Sequence, residues 1–163
     1  MNKKPMNGKV FDMRGGWFQC HGPNYKKGGM KIGRIRVLII ENDTPVAMMM
    51  VFALTHVGCN VDAVHTAKKG LALARKQTFD LIALDIKLPD AGGLEVCSEL
   101  QTRHISRKTP IIFISSSFSS EIMVEGKRLG AVDYITKPFD MTDLIYRVVF
   151  HAKVNPPRSL ADN

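Results

Sequence analysis

Residues 35–58 read IRVLIIENDTPVAMMMVFALTHVG. Ile35–Ile40 is mainly a β-branched apolar run, the composition of a strand, and Glu41-Asn42-Asp43 ends it. Thr44 followed by Pro45 suits a helix cap and a first helical residue. A helical stretch then runs to Val57, and Gly58 closes it. A strand that ends in acids and feeds a helix is one unit of a fold, and the fold follows from how often that unit recurs.

It recurs along the rest of the chain. Asn60–Val64 is a short strand, and Thr66–Gln77 is a helix with Ala67, Leu71 and Ala74 on one face. Phe79–Asp85 is a further apolar run ending in an acid, and Gly93–Thr102 is a helix with Leu94, Cys97 and Leu100 inward. Pro110–Ser115 is a strand, Ser119–Leu129 a helix closed by Gly130, and Val132–Thr136 a strand. Asp140 caps a last helix reaching about Lys153, and Pro156-Pro157 ends the domain. Five strand–helix units in series predict an α/β fold with a parallel sheet. Ile35–Ile40, Leu81–Leu84 and Ile111–Ile114 are continuously apolar, as strands buried on both faces should be. The expected architecture is a doubly wound, five-stranded parallel sheet with five helices.

The chain has 163 residues and a formal charge of +8, which taken whole suggests an acidic partner such as nucleic acid. The charge is unevenly placed. Residues 1–34 hold eight Lys and Arg against the single acid Asp12, whereas residues 35–163 hold 15 basic and 14 acidic residues. The first of these stretches also carries seven glycines and has no apolar periodicity. Residues 1–33 are therefore expected to be a disordered basic extension, 34–154 the domain, and 155–163 a short tail without room for an output domain. Met30, five residues before Ile35, offers a second place for translation of such a domain to begin. No apolar run approaches the ~18 residues of a membrane span, and the N-terminus lacks the apolar stretch of a signal peptide. Cys20, Cys59 and Cys97 make neither a disulfide framework nor a C-x-x-C site. A cytoplasmic protein is expected. Cys20-His21 lacks metal-ligand spacing, no phosphate-binding G-x-x-x-x-G-K-[ST] occurs, and Met48-Met49-Met50 reads as packing rather than a cofactor box.

Ligands of an open parallel sheet collect beyond the carboxyl ends of its strands, where strand order reverses. Those ends carry Glu41-Asn42-Asp43, Asp85, Ser115-Ser116-Ser117 and Thr136-Lys137-Pro138. Acidic oxygens suit a hard cation such as Mg²⁺, which takes one or two protein carboxylates and keeps several waters. A lysine beside a hydroxyl suits a phosphoryl group. Each residue alone is more often structural: Asp85 a loop or cap residue, Lys137 a solvated charge, Ser115 a structural hydroxyl. Their convergence on one rim, each from a separate strand, carries the reading.

The chain resembles the receiver domain of two-component response regulators over about residues 34–154. The resemblance rests on VLIIEND at 37–43, DIKLPDAGGLE at 85–95, PIIFISS at 110–116 and GAVDYITKPF at 130–139. It implies a flavodoxin-like sheet of order 2-1-3-4-5. It implies that Asp85 accepts a phosphoryl group from a sensor histidine kinase or phosphotransfer protein, with Lys137 and Ser115 assisting. It implies Mg²⁺ held by Glu41, Asn42, Asp85 and the backbone carbonyl of Lys87, with Asp43 as a further candidate. Ser115 and Tyr134 then form the switch, and the Lys137-Pro138 bond is expected to be cis. On this reading the chain is a phosphoacceptor and not an enzyme in the usual sense. One departure stands out: the family's second acid at the end of the first strand is here Asn42, which contributes an amide and no charge.

The first helix, Pro45–Val57, contains no charged residue. Val46, Met49, Met50, Ala53, Leu54 and Val57 are expected inward, leaving Met48, Val51 and Phe52 for a partner helix or a second copy. The last helix carries Ile145 and Val149 beside the expected core residues Leu144 and Val148. The resemblance implies output or homodimerisation through its face with the fourth helix and fifth strand, toward a downstream effector protein. Two readings compete with a phosphorylated receiver: a nucleic-acid binder using the basic extension, and a receiver that signals without phosphate because of Asn42.

Overall fold

The computed structural model describes residues 35–102, 108–117 and 119–154, together with two short strands near the N-terminus. Those two, β1 (Lys9–Phe11) and β2 (Trp17–Gln19), pair antiparallel with Val10 opposite Phe18, in a unit separate from residues 33–163. No strand was expected there. The rest of residues 1–34, the expected disorder and the tail 155–163 lie outside the described residues.

The second unit alternates strand and helix throughout. β3 (Arg36–Ile40), β4 (Asn60–Val64), β5 (Leu81–Asp85), β6 (Ile111–Ser115) and β7 (Ala131–Thr136) form one parallel sheet in the order β4-β3-β5-β6-β7. Counted within the sheet this is 2-1-3-4-5, as the resemblance implies. The helices are α1 (Thr44–His56), α2 (Ala67–Lys76), α3 (Gly93–Thr102), α4 (Ser120–Arg128) and α5 (Met141–Val154). Every residue of β5 and β6 is buried, because helices cover both faces of the sheet. Leu38, Ile40, Ile82, Leu84, Ile111 and Phe113 pack with Ala67, Ala74, Val96, Cys97 and Leu100 of α2 and α3. On the other face lie α1 and α5, which contact each other and bury Met50, Leu54, Leu144 and Val148.

Local chemistry fixes the helix ends. Thr66 accepts from the Lys69 N–H and starts α2, and Ser119 accepts from the Ile122 N–H and starts α4. Gly58 and Gly130 follow α1 and α4 with φ of 95° and 97°, a left-handed turn that costs glycine little. Two expectations for α1 are corrected. Asp43, not Thr44, is the cap, since its Oδ1 accepts from the Val46 N–H at 3.2 Å. Met49 faces outward and Ala47 is buried in its stead, so the inward set is Ala47, Met50 and Leu54. With apolar residues all round, the sequence of α1 leaves its rotation open, and the small Ala47 side chain allows the helix to sit close to the sheet.

Candidate functional site

The register of the sheet brings the strand ends to one rim. Ile40 stands opposite Leu84, Asp85 opposite Ile114, and Ser115 opposite Thr136. Just past β3, Glu41 donates its N–H to the Val64 carbonyl at 2.9 Å, so its carboxylate starts from an extension of the sheet. Glu41 is 1% exposed, Asp85 4% and Ser115 0%. The Lys137 N–H donates to the Ser115 carbonyl at 2.7 Å, and the Lys137-Pro138 bond is cis, as expected. That anchorage aims the lysine inward. Its Nζ lies 2.6 Å from Glu41 Oε2 and 3.1 Å from Asp85 Oδ2. Asp85 Oδ1 accepts from the Lys87 N–H at 2.9 Å, and Glu41 Oε1 accepts from the Asp43 N–H at 3.0 Å.

Burial sets the charge balance. It raises Glu41 above the usual carboxylate range; the Lys137 ammonium opposes this, and the neighbouring Asp85 adds to it. Burial alone would lower Lys137, but its bonds to Glu41 and Asp85 outweigh that and hold the ammonium charged. The site is therefore an acid pair bridged by one cation.

Asn42 completes it. As placed, its side-chain oxygen faces only acceptors, Asp85 Oδ2 and the Lys87 carbonyl; with the amide turned over, its nitrogen donates to them at 2.9 and 3.1 Å. Asp85 Oδ2 and the Lys87 carbonyl thus converge on one point that attracts positive charge. Among the described residues no three His, Cys, Asp or Glu side chains are grouped to hold a metal. Two carboxylates, a backbone carbonyl and water nevertheless suit Mg²⁺, so the residues present fit that ion.

A family model described as the response regulator receiver domain matches residues 37–149. The chain belongs to the response regulator receiver family. The response regulator ArlR of Staphylococcus saprophyticus is 35% identical over 127 residues, 78% of this chain and 56% of that protein. ArlR of Staphylococcus aureus is likewise 35% identical, with 57% of its length covered. The chain thus spans a little over half the length of these curated relatives. A CheY-like receiver domain from Methanospirillum hungatei superposes with a TM-score of 0.71 at 29% identity, covering 75% of this chain and 96% of that one. The receiver domain of a Luxo repressor protein from Vibrio parahaemolyticus gives 0.72 at 26% identity, over 80% and 98%.

Within the receiver, Glu41, Asn42, Asp85, the Lys87 backbone and Lys137 meet at one place. Ser115 Oγ accepts from the Ser117 N–H at 3.3 Å, and the Tyr134 hydroxyl donates to the Ser117 carbonyl at 2.5 Å. Asp43 stands at the rim but is engaged as the α1 cap. On α1, Met48 is 67% and Phe52 71% exposed, while Val51 is half-buried; Ile145 and Val149 on α5 are half-buried too. Thr44, Ala47, Met48, Val51, Phe52 and Thr55 line a groove that Ala63 and His65 close. Sequence reasoning missed Asp90, whose carboxylate accepts from the Ala67 and Lys68 N–H groups at 2.8 and 2.9 Å. It also missed His65, whose Nδ1 lies 2.8 Å from the Glu41 carbonyl. Both contacts join segments more than twenty residues apart, and no local pattern announces them. Among the described residues, no helix is long and apolar enough to cross a membrane.

Proposed function

We propose that Asp85 is the phosphoacceptor of this receiver. The observation that carries the reading is the buried Asp85 carboxylate held by the Lys87 N–H and the Lys137 ammonium, beside Glu41, at the carboxyl end of the central strand. An Asp85 oxygen attacks the phosphorus of a phosphohistidine donor; the P–O bond forms as the P–N bond breaks, and the electron pair returns to the imidazole. Lys137, freed from Asp85, stabilises the charge on the phosphoryl oxygens. Glu41, the Lys87 carbonyl and Asp85 would hold Mg²⁺, which offsets the repulsion between carboxylate and phosphoryl group when bound.

Ser115 Oγ then turns to the phosphoryl group and gives up the Ser117 N–H. Ser117 also holds the Tyr134 hydroxyl through its carbonyl, so the loss is passed to the α4–β7–α5 face. That face would signal to a downstream effector or a second copy of the chain. The donor would be a histidine kinase or phosphotransfer protein docking on Met48, Val51 and Phe52 of α1.

Incubation with acetyl phosphate and Mg²⁺ tests the central claim. One phosphoryl group is expected in the intact mass of the wild type and none in Asp85→Asn. An unmodified wild type would overturn the reading and favour a receiver that signals without phosphate.

A further inference from the structure

We infer that Asn42 is a positioning residue whose amide stands in for the divalent cation and competes with it. The inference rests on the phosphoacceptor reading of the same site and concerns this chain's departure from the family pattern. In the orientation that its surroundings favour, with nitrogen and oxygen exchanged, the Asn42 amide donates to Asp85 Oδ2 at 2.9 Å and to the Lys87 carbonyl at 3.1 Å, two of the oxygens assigned to Mg²⁺. An amide NH₂ offers two donors in one plane, and both are used here by acceptors that a cation would otherwise bridge. The metal-free site therefore holds Asp85 and the loop after β5 in place by three donors. These are the Lys87 N–H on Oδ1, and the Lys137 ammonium and Asn42 amide on Oδ2.

An acid at position 42 could not do this. It would face Asp85 and the Lys87 carbonyl as a third anionic or acceptor group, and the empty site would be held apart by repulsion until a cation arrived. Asn42 removes that repulsion and the need for the cation together. Binding of Mg²⁺ must first displace the amide, so the side chain opposes the ion where an acid would attract it.

The test compares wild type, Asn42→Ala and Asn42→Asp by calorimetric Mg²⁺ titration, and by thermal melting in chelator. A competing amide predicts that Asn42→Ala binds Mg²⁺ as tightly as wild type or more so, and melts lower without metal. Asn42→Asp is expected to bind at least about ten-fold more tightly, and to gain more in Tm on adding Mg²⁺ than wild type does. Weaker Mg²⁺ binding by Asn42→Ala would show that Asn42 ligates through its oxygen, and would overturn the inference. An unchanged metal-free Tm in Asn42→Ala would also overturn it, since the amide would then hold nothing. Absence of Mg²⁺ binding even in Asn42→Asp would overturn the metal site and the inference together. Labelling of Asp85 by acetyl phosphate, scored separately, shows whether the phosphoacceptor reading fails as well.

Discussion

Glu41 shows how a single buried side chain can oppose stability. Its ionisation is disfavoured by burial first, then by Asp85, and Lys137 only partly offsets this. A carboxyl raised in the fold stabilises it below the ordinary value of 4.5, and that contribution is lost as pH rises through the folded value. At neutral pH the charged Glu41 is therefore a net cost. Glu41→Gln should raise the Tm of the metal-free protein by a few degrees at neutral pH, and the gain should vanish below pH 4.5. Calorimetry in chelator at the two pH values checks this, and the same variant should bind Mg²⁺ more weakly. The acids, the serine and the lysine of this site were legible from the strand ends, because an open parallel sheet sends its carboxyl termini to one rim. What Asn42 does was not legible. Sequence shows only a missing charge, whereas its two donors matter through distances to Asp85 and the Lys87 carbonyl.

Among the elements, the turn from β5 into α3 is held tight by backbone. A Cβ on Gly93 would stand 2.6 Å from Ile86 Cα and 2.7 Å from the Asp85 carbonyl oxygen, which are backbone and cannot yield alone. Gly92 next to it has open space, with no atom within 4 Å of a Cβ built there. Gly93→Ala should cost about 1–3 kcal/mol and slow labelling of Asp85, whereas Gly92→Ala should stay within about 0.5 kcal/mol and label normally. Chemical denaturation and the acetyl phosphate reaction separate the two. The elements themselves follow sequence closely: Asn60–Val64 and Gly93–Thr102 are expected and observed with the same ends. Polar caps and breaking glycines mark such ends locally. Helix α1 differs, because a stretch without a charge has no polar face to fix its rotation, and only tertiary packing turns Met49 outward.

The whole receiver presents two half-apolar surfaces, the α1 groove and the α5 face where Tyr146 stacks on Phe150 at 6.1 Å. If the first receives the donor, Phe52→Lys should slow transfer from a phosphorylated histidine kinase at least about ten-fold and leave acetyl phosphate labelling unchanged. Equal losses with both donors would place the effect in the site, and no loss with either would remove α1 from docking. Charge also organises α5. Asp133 binds both Arg147 and His151 at 3.0 Å, which fastens α5 to the edge strand β7. A different tie crosses the sheet's rim. The Asp90 carboxylate, in the loop that carries the Lys87 carbonyl, takes the first two free N–H groups of α2. The amides of Ala67 and Lys68 are thereby sheltered by a loop to which they do not belong. Their hydrogen-exchange rates keep time for the opening of that loop, so the site's breathing can be followed from a helix well outside it.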